Sequence, residues 1–90
     1  EFIEFQMNWT AKKIDLVELV YALHSSRAIK NGNESLRKIA KVLSSVFNTD
    51  LGSIYRIYLE MKSRKKDQTR FIDNLKQSLE NRMLSEDFEV

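Results

Sequence analysis

Asp15 and Glu18 stand three residues apart, a spacing that sets two carboxylates on one face of a helix. Such a pair can do acid–base work on a glycoside, but only in a polar cluster set into an apolar pattern. Here the neighbours are Leu16, Val17, Leu19 and Val20, so a solvated or salt-bridged helix edge is the expected role. His24 closes the same segment, where a donor or cation meets the free carbonyls of a helix end. A single histidine and no cysteine leave no thiolate zinc site, no all-nitrogen metal site and no disulfide. There is also no glycine-rich phosphate loop and no histidine paired with a nucleophile. The expectation is a non-enzymatic domain with no cofactor and no metal.

The chemistry that does recur is cationic. Arg37, Lys38, Lys41, Ser44 and Ser45 lie opposite a stripe of Leu36, Ile39, Ala40, Leu43, Val46 and Phe47. Further on come Ser53, Arg56 and Glu60, then Lys62, Arg64, Lys65 and Lys66. Residues 1–24 carry two lysines against four acids, 25–66 carry ten cations against three acids, and 67–90 carry three against six. A basic middle between acidic ends points to one localised anionic partner rather than a generally adhesive surface.

Four helical segments must position these groups. Ninety residues make one domain with a small core, and the absence of proline leaves the helix ladders uninterrupted. Thr10 is placed to cap a first helix to about His24, whose apolar residues cover more than half its circumference, as in the centre of a bundle. The Asn31-Gly32 turn and a cap at Asn33 introduce a second helix over about 34–47. After the break at 48–50, Asp50 caps a third helix over about 51–64, with Leu51, Ile54, Ile57, Tyr58 and Met61 inward and Tyr55 and Leu59 widening that stripe. Asp67 or Thr69 starts a fourth to about 84, with Phe71, Ile72, Leu75, Leu79 and Met83 inward, closing the core; residues 85–90 read as a frayed acidic tail. The core thus spans 10–84 and residues 1–9 are an extension.

That extension alternates Ile3, Phe5, Met7 and Trp9 with polar residues, the period of a half-buried strand. A short strand, a helical start, packing on the domain itself and an interface to another chain, a second copy included, all remain open. No apolar run approaches the roughly 18 residues that span a bilayer, and the N-terminus lacks the cationic region of a signal peptide, so a cytoplasmic protein is expected.

The second and third segments form a helix-turn-helix candidate, in which the second of the pair enters the major groove by its N-terminal half. Ser53, Arg56 and Glu60 would face bases, Arg56 offering a fork to guanine O6 and N7. Arg37, Lys38, Lys41, Ser44, Ser45, Arg64, Lys65 and Lys66 suit phosphates. Plainer roles exist for each. Arg56 and Glu60 are spaced to pair with one another, and cations at 62–66 are favoured at a helix C-terminus whatever they bind. The segment after Ala40 also runs longer than the short motif requires, and no glycine-tipped hairpin follows to make a wing. Double-stranded DNA is the expected partner; a helical protein–protein interaction module without DNA contact is the competing class.

Longer stretches carry a resemblance. WTAKKIDLVELVYAL at 9–23, NGN at 31–33, FNTDLG at 47–52, YRIYLE at 55–60 and SRKKDQTRFIDNLKQSL at 63–79 resemble, in this order, the C-terminal region of RteC-type proteins. These are bacterial regulators carried by conjugative transposons of Bacteroides and related bacteria. The resemblance implies a DNA-binding transcription regulator of a tetracycline-responsive cascade upstream of element excision. It also implies a further N-terminal domain that a chain of this length does not contain. No residue-level contacts come with it, so the site residues rest on helix geometry alone.

Overall fold

The computed structural model describes residues 5–88 and is all-α, with four helices and no strand among them. α1 runs Lys13–Ser25, α2 Leu36–Val46, α3 Ile54–Lys62 and α4 Arg70–Phe88, with one short 3-10 turn at Lys30–Gly32. α1 packs against each of the other three, making it the hub of the fold. Its apolar excess explains this: Leu16, Val17 and Val20 are fully buried. Ile39 and Ala40 from α2, Leu51 from the linker and Met61 from α3 complete the core. Apart from Ala40, each such side chain contributes about 1.5–3 kcal/mol when fully buried, so few residues carry most of the stability.

The first three helices start two to three residues later than expected, whereas α4 begins directly after Thr69, one of its two expected starts. Thr10 is exposed and does not cap α1; the Lys12 N–H instead donates to the Asp15 carboxylate at 3.3 Å. Ser35 rather than Asn33 caps α2, its hydroxyl accepting the Lys38 N–H at 3.1 Å. Asp50 does not cap α3. It accepts the Gly52 N–H at 3.0 Å and so builds a turn, and the helix begins only after Ser53. The α2–α3 connection therefore spans residues 47–53 instead of 48–50. The physical reason is Leu51, 3 % exposed, which drops from this connection into the core and holds the chain off helical geometry.

The fourth helix departs furthest from expectation. Phe71 and Ile72 are half-buried, but Leu75, Leu79 and Met83 are 43, 57 and 50 % exposed, and every described side chain from 73 to 87 is exposed. α4 meets the body through its first turn and then projects. Helical structure also runs through residues 85–88 of the acidic end. The radius of gyration, 15.0 Å, accordingly exceeds the roughly 12 Å of a compact chain this long. Tyr55 and Leu59 are likewise exposed rather than inward, since α3 packs chiefly against α1 through its other face.

Of the N-terminal segment, Ile3 lies outside the described residues. Met7 and Trp9 donate their N–H groups to the Val46 and Phe47 carbonyls at 2.8 and 3.1 Å, and Gln6 Nε2 donates to the Ser45 carbonyl at 2.9 Å. Donors two residues apart thus satisfy the carbonyls left free at the end of α2. The Trp9 ring meets Phe47 and Phe71 edge-on, with centroids 5.0 and 5.6 Å away, pinning α2's end to α4's start. Phe5 and Met7 remain exposed.

Candidate nucleic-acid interface

Arg37, Lys41 and Ser44 recur at helical spacing on α2 and so share one face, which looks across an open cleft of about 670 Å³ at the start of α3. The opposite wall is the Asp50–Tyr55 stretch, with Leu36, Ala40 and Leu51 forming the floor. Gly52 sits in that wall at φ +62°, the left-handed region, with nothing within 4 Å of where a Cβ would stand. Ser53 leads into α3 without spending its hydroxyl on a cap, so the first N–H groups of α3 are not closed by it. One acid, Asp50, lines the cleft.

The structure thus brings four expected residues, Arg37, Lys41, Ser44 and Ser53, to one cleft. Lys38 and Ser45 fall on the neighbouring flank of α2. Lys38 stands 3.9 Å from Glu34, and the Ser45 carbonyl is taken by Gln6. Arg56 and Glu60 are both exposed on α3, and despite their spacing they form no ion pair. Among the described residues the guanidinium of Arg56 has no ion-pair partner. Lys65 and Lys66 are exposed in the α3–α4 connection.

Arg64 has a different environment. Its side chain is only 16 % exposed and its guanidinium lies 3.9 Å from Glu18, which is itself 3 % exposed. The other Glu18 oxygen accepts the Ile72 N–H at 2.7 Å, so a carboxylate from α1 satisfies a free amide in the first turn of α4. This carboxylate had every sequence mark of a solvent edge. It is buried because α4's start covers the polar arc of α1.

Two features escaped sequence reasoning. Tyr55, 63 % exposed, lines the cleft and offers an aromatic face beside Arg37 and Lys41. Its spacing with Leu51 and Tyr58 made it look internal, but the face of α3 that carries it is open to solvent. Tyr21 and Tyr58 stack with centroids 4.1 Å apart. Burial first, then the neighbouring Tyr58 and Tyr55, raise the Tyr21 pKa above its ordinary 10.0.

Among the described residues no group of three or more histidines or acids is arranged to hold a metal, and no helix is long and apolar enough to cross a membrane. A family model described as RteC protein matches residues 3–87. Comparison with curated proteins and with solved structures returns no significant match.

Proposed function

Because the chain belongs to the RteC family, we propose that it binds double-stranded DNA as part of a transcription regulator controlling excision or mobilisation genes of a conjugative transposon. The carrying observation is the α2–α3 cleft. Two cations and two hydroxyl side chains converge there, with an exposed tyrosine and a helix start that no Ser53 cap closes, while Arg56 is exposed on α3 without an ion-pair partner among the described residues.

In this reading α2 and α3 act as a helix-turn-helix-like pair with a lengthened turn. Arg37, Lys41, Ser44 and Ser53 hold phosphates, Lys65 and Lys66 reach the flanking backbone, and Arg56 addresses a base edge. Glu60 lies one turn from Arg56 and restrains it or accepts from cytosine N4. Lys38 and Ser45 are peripheral, and Arg64 serves the fold through Glu18. Binding falls steeply with salt, with a log–log slope near −0.9 for each phosphate neutralised.

Fluorescence anisotropy on promoter and scrambled duplexes tests the assignment. Reversal of Arg37 and Lys41 to glutamate weakens binding to every duplex by about a hundredfold or more and flattens the salt slope. Arg56→Ala removes about 1–3 kcal/mol of discrimination between sequences while leaving non-specific affinity nearly intact. Asp50→Asn keeps the acceptor for Gly52 and removes the one acid of the cleft, so it tightens binding to all duplexes. Unchanged affinity in the Arg37/Lys41 double reversal would sink the phosphate assignment.

A further inference from the structure

We infer that α4 is a self-association surface, and that two copies of this chain pair through it as an antiparallel helix dimer. Leu75, Leu79 and Met83 recur every four residues on one stripe of α4, and all are about half exposed or more. The helix projects over residues 73–87, all exposed among the described residues, a length of about 22 Å. A helix of this size is marginal in water on its own, and an apolar stripe along it calls for a partner face.

The charges beside the stripe identify that partner. Lys76 and Glu80 are spaced for an ion pair with each other, yet neither pairs with any described residue. Arg82, by contrast, is engaged with Glu86 at 3.5 Å. In an antiparallel pair about a two-fold axis, placing Ile72 level with Met83 of the second copy also brings Leu75 within one residue, about 1.5 Å, of the level of Leu79. The same register sets Lys76 within one residue of the level of Glu80 of the second copy, in reach of an ion pair, twice by symmetry. The apolar and charged matches therefore all fall within one residue of a single offset. A parallel pair would instead bring the acids Glu80, Glu86 and Asp87 of both copies to one end. Only the antiparallel direction brings the unlike charges Lys76 and Glu80 of the two copies to nearly the same level.

Association is measured without DNA, so its outcome is independent of the proposed nucleic-acid reading. Sedimentation equilibrium on the full chain shows a species of twice the chain mass, with a concentration-dependent monomer fraction. Leu79→Lys raises the dissociation constant on the order of a hundredfold, since two symmetry-related leucines leave one contact. Because Leu79 is exposed in the single chain, circular dichroism at low concentration remains that of the wild-type monomer. Lys76→Glu and Glu80→Lys each weaken the dimer, and the double swap restores it. Spin labels on Ser85→Cys lie roughly 25 Å apart in the antiparallel pair and about 10 Å apart in a parallel one. A chain that stays monomeric to millimolar concentration, a dimer indifferent to Leu79→Lys, or labels at the shorter distance would overturn the inference.

Discussion

Replacing Glu18 with alanine removes a carboxylate that is 3 % exposed and holds α1 to the start of α4. The loss has two parts. The 2.7 Å bond from the Ile72 N–H to an ionised acceptor contributes about 1.5–3 kcal/mol, and its removal leaves that amide unsatisfied. Arg64, 16 % exposed and 3.9 Å away, then loses its counter-charge in a partly desolvated position. At that separation the Coulomb gain is largely offset by desolvation, so this part adds about 1 kcal/mol. The expected cost is about 3 kcal/mol, against roughly 4.5–13 kcal/mol for a domain of this length. Urea denaturation followed by circular dichroism measures it, and the thermal midpoint drops by about 12–24 °C. Glu18→Gln keeps an oxygen for Ile72 and loses less. A cycle with Arg64→Ala isolates the pair, with a coupling of about 0.5–1.5 kcal/mol. The deficit is local: α4 amides lose protection from hydrogen exchange before those of α2. A Glu18→Ala cost below about 0.5 kcal/mol, the level of an exposed substitution such as Glu60→Ala, would refute the reasoning.

Gly32→Ala destabilises by about 1–2 kcal/mol in the same denaturation assay. Gly32 holds φ +83°, and an added Cβ would meet the Arg27 guanidinium, which donates to the Asn31 carbonyl at 2.7 Å. The raised Tyr21 pKa makes stability depend on alkaline pH. The folded state favours the neutral phenol, so the contribution is complete below the ordinary value of 10.0 and is lost as pH rises through the folded value. Stability measured from pH 8 to 12 falls above about 10, and Tyr21→Phe shows a shallower fall; equal slopes would remove Tyr21 as the cause.

Much of the fold was legible because helical periodicity and the absence of proline leave few alternatives. The apolar arc of α1 announced a central helix, and Asn31-Gly32 announced a turn that does contain left-handed residues. The caps were misread for a specific reason. Thr10, Asn33 and Asp50 are all competent cap residues, and choosing among neighbouring candidates depends on where tertiary packing lets the helix begin. At Asp50 the burial of Leu51 decided it. The candidate cleft was half visible: the i, i+4, i+7 recurrence of Arg37, Lys41 and Ser44 placed them on one face, but the wall opposite could not be inferred.

The sequence by itself determined the helical class, the hub role of α1, the basic middle and the resemblance that family membership then supported, since all are properties of local order along the chain. Only the tertiary structure decided which polar residues are spent inside and which apolar ones are left outside. Glu18 is internal because α4's first turn lies over it, and Arg64 follows its counter-charge inward. Leu75, Leu79 and Met83 are external because the same helix then leaves the body. Periodicity reports that a helix has an apolar face; what covers that face is settled by contacts between residues far apart in the chain.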